Sequence, residues 1–177
     1  MFRSILVTFA LCALALSAHA FKPELGAAPE AMDRIEYVDG TPVDFAALKG
    51  KPTVVYFGAD WCLPCIERGR PTVLRVLQKY AHRGLQVVFV SMDDNRLRAA
   101  KQEEAAQTGM RIAMARQDLC PPGKCPDGLR EVGAFGRVFV YPTAVVLDAQ
   151  GIVRAKMDRG VGVAGGLESA VLSVLAP

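Results

Sequence analysis

The chain has 177 residues, 51% of them hydrophobic, which suits one folded domain with short extensions and excludes a disordered, highly charged protein. Twenty-one Lys and Arg face 18 Asp and Glu without a dense basic run, so charge makes no case for nucleic acid as a partner. Function has to be sought in particular residues.

Residues 1–20 read as a secretory signal. Met1-Phe2-Arg3 is a positive start, Ile5 to Leu16 an apolar run, and Ser17-Ala18-His19-Ala20 a small-x-small site that predicts cleavage after Ala20. The apolar run is shorter than the ~20 residues that span a bilayer, so membrane anchoring is the weaker reading. Bulky Leu11 before Cys12 argues against lipidation. The expected location is the periplasm. Cleavage removes Arg3 and no acid, leaving 20 basic against 18 acidic residues. It also removes Cys12, and the remaining four cysteines are an even count in a compartment where disulfides persist. Their spacing suggests pairs 62–65 and 120–125.

Residues 21–34, rich in Ala, Pro and charge, predict a flexible lead-in to a domain over 35–177. Ile35 to Val38, the turn Asp39-Gly40 and Thr41 to Val43 predict a small hairpin. Phe45 to Leu48 predicts a turn of helix. Thr53-Val54-Val55-Tyr56-Phe57 is β-branched and aromatic, as a buried strand requires. The cysteine segment then leads into a helix reaching Tyr80, with Val73, Leu74, Val76 and Leu77 on its apolar side and a kink expected at Pro71. Gly84 ends it. Leu85 to Val90 predicts a second buried strand, and Met92-Asp93-Asp94-Asn95 caps a helix to Thr108 that Gly109 stops. Arg111 to Ala115 reads as a short strand and 116–131 as irregular. Phe139 to Leu147 predicts a third core strand, Asp148-Ala149-Gln150-Gly151 a turn, Ile152 to Met157 a further extended segment, and Leu167 to Leu175 a final helix. Strands alternating with helices imply an α/β layered domain.

Cys62 and Cys65 carry the chemistry. A buried strand ends at Phe57 and the next helix begins at Cys62, where unpaired N–H groups and a partial positive charge favour thiolate over thiol. Pro64 suits a first turn because no donor is needed there. Cys65 lies one turn further in, placed to attack a mixed disulfide on Cys62. The nucleophile is therefore Cys62 and the resolving thiol Cys65. Zinc would need all four cysteines, and the second pair lacks the two-residue spacing of a ribbon; no metal and no other cofactor is expected.

Gly50-Lys51-Pro52, the strand after it, Gly58-Ala59-Asp60-Trp61-Cys62-Leu63-Pro64-Cys65, Tyr141-Pro142-Thr143 and Asp148-Ala149-Gln150-Gly151 together resemble the thioredoxin superfamily. Within it they are most similar to exported TlpA/ResA-type disulfide reductases, from about Ile35 to the C-terminus. The resemblance implies a thioredoxin-like fold, with a central mixed sheet flanked by helices, an N-terminal hairpin and a central insertion. It also implies that Pro142 is a cis-proline lying against the cysteine pair and that the backbone of Tyr141 pairs with substrate chain. Trp61 is expected beside the pair, helping to form a substrate platform with Tyr141 and Pro142.

Three departures mark this chain. Tyr56 stands where thioredoxin has a buried aspartate, Arg68 stands where ResA-type proteins have glutamate, and Pro71 is one position later than the usual helix proline. Glu67, Asp60 and water are the alternatives for the proton acceptor of Cys65. Cys120 and Cys125 flank Pro121-Pro122-Gly123-Lys124, which can turn back to close a structural disulfide, with a second redox pair as the alternative. His82, at a helix end, reads as a solvated residue. The expected function is reduction of protein disulfides outside the cytoplasm, with electrons from a membrane thiol carrier. A thiol oxidase, or a non-catalytic binding or chaperone module, would use the same groove.

Overall fold

The computed structural model describes residues 21, 24–29 and 31–175. The expected signal segment lies outside them. Six strands form one sheet in the order β1-β4-β3-β2-β5-β6. They span Ile35–Tyr37 (β1), Thr53–Gly58 (β2), Gln86–Ser91 (β3), Arg111–Ala115 (β4), Thr143–Leu147 (β5) and Val153–Asp158 (β6). Strands β2, β3 and β4 run parallel, while β1, β5 and β6 pair antiparallel to their neighbours, so the sheet is mixed. The fold is thioredoxin-like.

Alternation along the central strands assigns the two faces. Val54 and Tyr56 of β2, with Val87 and Phe89 of β3, point to one side; Val55, Phe57, Val88 and Val90 point to the other. All of β2 is buried on both faces, as its continuous apolar run requires. Each such fully buried side chain contributes roughly 1.5–3 kcal/mol of transfer free energy.

The helices flank this sheet unequally. Strand β2 leads through α1 (Arg70–Tyr80) to its neighbour β3, and β3 through α2 (Arg98–Thr108) to its neighbour β4. Both crossovers advance the same way along the sheet, so right-handed connection puts both helices on one face. There α1 packs on Tyr56, Val73 to Tyr80 joining Leu167, Val171 and Leu175 of the C-terminal segment that contains α3 (Gly166–Leu172). The opposite face is covered by short 3-10 turns at Ala46–Leu48 and Gly133–Phe135 and by the chain before β1. The segment expected as a flexible lead-in is docked there. The Phe21 ring meets Phe57 edge-on and stacks on Phe135, Gly26 N–H donates to Val153 O, Val153 N–H donates to Ala27 O, and Met32 is buried. Its apolar residues had a face to cover, which composition alone does not reveal.

Three expectations are adjusted. The hairpin at 35–43 exists as a tight turn with one bridge, Glu36 to Pro42, while β1 takes β4 as its partner. Pro71 does not kink a continuous α-helix: Cys65–Gly69 forms a π turn closed by Arg70 N–H onto Cys65 O, and α1 starts behind it with the proline in its first turn. A donor-less residue is accommodated at that junction without breaking an interior bond. Finally, β5 begins only at Thr143. Residues 139–142 turn back on themselves instead, with Tyr141 Oη donating to Val138 O and Thr143 Oγ1 to Val140 O, and Phe139 is left 59% exposed.

Candidate active site

The end of β2 delivers the redox pair. After Gly58, Ala59 is buried and Asp60-Trp61 make a turn in which Cys62 N–H donates to Ala59 O. Cys62 O accepts from Cys65 N–H at 2.9 Å and from Ile66 N–H at 3.2 Å, so Cys62 is the residue from which the helical segment starts. Cys62 and Cys65 are bonded as a disulfide, their Cα atoms 5.2 Å apart. Cys62 is 7% exposed and Cys65 is fully buried.

Trp61, half exposed, meets the Tyr141 ring edge-on with centroids 5.6 Å apart. The Tyr141–Pro142 bond is cis. Burial raises the Tyr141 hydroxyl to about 12, so it stays protonated and holds Val138 O. Pro142 packs on the π turn at Gly69, where a Cβ would come within 2.9 Å of the proline Cβ. Pro64 and Pro142 line one cleft together with Arg68, Arg159, Gly162 and Val163. The five residues singled out from the sequence, Trp61, Cys62, Cys65, Tyr141 and Pro142, thus occupy one end of the sheet.

Beneath the pair, Tyr56 is fully buried and its hydroxyl donates to Cys65 O at 3.3 Å. Burial pushes this phenol well above its ordinary value, and it acts as a neutral donor. Its hydroxyl is enclosed by two glycines: a Cβ at Gly58 would meet it at 2.9 Å and one at Gly69 at 2.6 Å.

Beside Tyr56 lies a charge cluster that sequence reasoning did not find. Lys101 of α2 is 1% exposed, with Nζ 2.6 Å from Asp60, 2.9 Å from Glu104 and 3.6 Å from Asp93. Arg70 joins Asp60 and Glu104 from α1. Asp93 accepts Asp60 N–H at 2.9 Å, which fastens the turn before Trp61-Cys62 to the end of β3. Burial works to raise the Asp60 carboxyl, but the hydrogen bonds and charges of Lys101 and Arg70 prevail and hold it below the ordinary carboxylate range. Asp60 is therefore an ionised anchor and a weak base, while Glu67, the other acceptor candidate, is exposed on the π turn.

Cys120 and Cys125 are bonded to each other on the insertion, Cα atoms 5.5 Å apart. Their loop docks on the head of α2: Gly123 N–H donates to the Asp94 carboxylate, and Asn95 Nδ2 donates to Cys120 O. The same Asp94 accepts Arg96 N–H, so the cap expected from the sequence closes the 3-10 turn Asn95–Leu97 that leads into α2 rather than α2 itself. His82 is exposed, and no helix among the described residues is long and apolar enough to cross a membrane.

Residues 27–156 match the AhpC/TSA family. The chain belongs to that family. Within it, this chain has the thioredoxin-like fold and a bonded Cys-x-x-Cys pair. Thioredoxin-like protein HCF164, chloroplastic, from Oryza sativa subsp. japonica is 41% identical over 58 residues, 33% of this chain and only 21% of that protein. Among solved structures, a thiol:disulfide interchange protein from Chlorobium tepidum superposes with TM-score 0.58 at 24% identity, covering 89% of this chain and all of that one. A thiol:disulfide interchange protein from Bacteroides sp. superposes with TM-score 0.60 at 21% identity, covering 84% and 91%. These two likenesses bear on the fold.

Proposed function

We propose that the protein is an exported reductant of protein disulfides, working in the periplasm through Cys62 and Cys65 and recharged by a membrane thiol carrier. The observation that carries this reading is the asymmetry of the pair: a rim cysteine at the start of a helical segment, a buried partner one turn inside, and the Trp61–Tyr141–Pro142 surface beside them. Export is supported by the Met1–Ala20 pattern and by a second bonded pair, Cys120–Cys125, of the kind oxidising compartments preserve.

In the reduced protein, Cys62 thiolate attacks one sulfur of a substrate disulfide. A Cys62–substrate bond forms, the substrate bond breaks, and the second substrate sulfur leaves as thiolate to take a proton. Cys65 thiolate then attacks the Cys62 sulfur, releasing the first substrate thiolate and closing Cys62–Cys65. Two electrons pass from the protein dithiol to the substrate. The carrier reverses the last step by the same exchange.

Cys65→Ser should trap substrates as disulfides to Cys62, and Cys62→Ser should trap almost none. Trapping that depends on Cys65 would reverse the assigned roles. A potential near about −270 mV fits a reductant, and one near about −120 mV would make the protein an oxidase. No insulin reduction above dithiothreitol alone would leave a binding module.

A further inference from the structure

We propose that Arg68 and Arg159 form a cationic lip on the substrate cleft, selecting protein disulfides whose cysteines are flanked by carboxylate side chains. The proposal rests on the redox reading above and names its substrate class.

The two arginines stand apart from the rest. Every other described arginine has an interaction partner, whether a hydrogen bond, an ion pair, an aromatic ring or another electrostatic contact. Arg68 and Arg159 are exposed and have none among the described residues, and both line the cleft that Pro64 and Pro142 share. Pro64 is one of the two residues between the cysteines and Pro142 the cis-proline, so the free cations lie beside the redox turn rather than on a random stretch of surface. Their acidic chain neighbours do not neutralise them: Glu67 forms no ion pair among the described residues, and Asp158 accepts the Thr143 hydroxyl instead.

Both positions are held by backbone. Arg159 adopts φ 58°, alone among the described non-glycine residues in being left-handed, and its N–H donates to Pro142 O at 3.0 Å. Its Cα is therefore tied to the cis-proline turn. The Gly160–Gly162 turn that follows lies on the stem of Arg68, where a Cβ at Gly162 would come within 2.7 Å of the arginine Cβ. A substrate chain that reaches Cys62 through this cleft passes both guanidiniums, with Pro64 and exposed Val163 as apolar lining. A carboxylate there gains charge-assisted hydrogen bonds without having to displace an existing ion pair.

Three synthetic peptides, each holding one disulfide flanked by Glu, Ser or Lys, test the proposal as substrates of the reduced protein. At low salt, about 0.01 M, kcat/KM should favour the Glu peptide over the Lys peptide by roughly three- to tenfold, and the preference should collapse near about 1 M salt. Arg68→Glu with Arg159→Glu should invert the ranking, and the double Gln variant should level it. In parallel, binding of the same peptides in dithiol form to Cys62→Ser protein, read by Trp61 fluorescence, reports charge preference without turnover. Turnover with no charge preference, or a preference that survives both variants, overturns the lip. Absent turnover with a preserved binding preference refutes the redox reading and leaves the lip standing. If neither assay shows a preference, the lip is refuted.

Discussion

Lys101→Met removes the buried cation and keeps the length of the stem. Asp60, Asp93 and Glu104 would then face Arg70 alone; Arg70 pairs with Asp60 and Glu104, so Asp93, 1% exposed, would keep only the Ser91 hydroxyl and Asp60 N–H. Breaking a buried pair by removing one partner costs about 3–5 kcal/mol. Water reaches Asp60, whose side chain is 43% exposed, and part of Glu104, so the lower end applies, about 3 kcal/mol. For a chain of this length that is a fall in Tm of roughly 6–12 °C. Urea unfolding of the oxidised protein at neutral pH measures it. Because Asp93 holds the Asp60 backbone, the variant should also lose kcat/KM in disulfide reduction. Adding Asp93→Asn should restore part of the stability, since it removes one of the stranded charges. A loss below about 1 kcal/mol, or no recovery in the double variant, would refute the assignment of Lys101 as the cation that neutralises this turn.

Two further outcomes are expected. Replacing Cys120 and Cys125 together by Ser should cost roughly 2 kcal/mol from loop entropy while turnover persists, because Asp94 and Asn95 still hold the loop; loss of most activity in a folded variant would make this pair a redox relay. Asp94 is held below the ordinary carboxylate range by the Arg96 and Gly123 N–H groups, and Asp148 by the Ile152 N–H and Arg154 against the opposing pull of burial. Below the unfolded value of about 4 the unfolded chain binds more protons, so stability should be intact at neutral pH and fall as pH drops through that range. Acid titration followed by circular dichroism checks it, and a stability that rises on acidification would contradict it.

What could be read in the sequence was local. The β-branched run into Phe57, the positions of Cys62 and Pro64, the Asp94 cap and the stops at Gly84 and Gly109 all rest on short-range chemistry, and each appears where it was expected. What escaped was set by distant partners. Strand β1 pairs with β4 rather than with its own hairpin arm, because the sheet edge offers a longer ladder. Phe139 to Tyr141 are aromatic and β-branched like a strand, yet side-chain-to-backbone bonds of the turn before Thr143 claim them. Lys101 sits in a polar helix and looks like any solvated lysine. Only the approach of Asp60 and Asp93 from two other elements buries it.

Tyr56 has a consequence for how this chain can change over time. Its hydroxyl fills the space where both Gly58 and Gly69 would otherwise carry a Cβ, and Pro142 closes the far side of Gly69. An alanine at either position requires the tyrosine ring to shift. A lineage that exchanged Tyr56 for a small acid would be released at Gly58, whereas Gly69 would remain bound to the cis-proline. Substitutions at the three positions are therefore coupled, and rebuilding them one at a time and in pairs would measure that coupling.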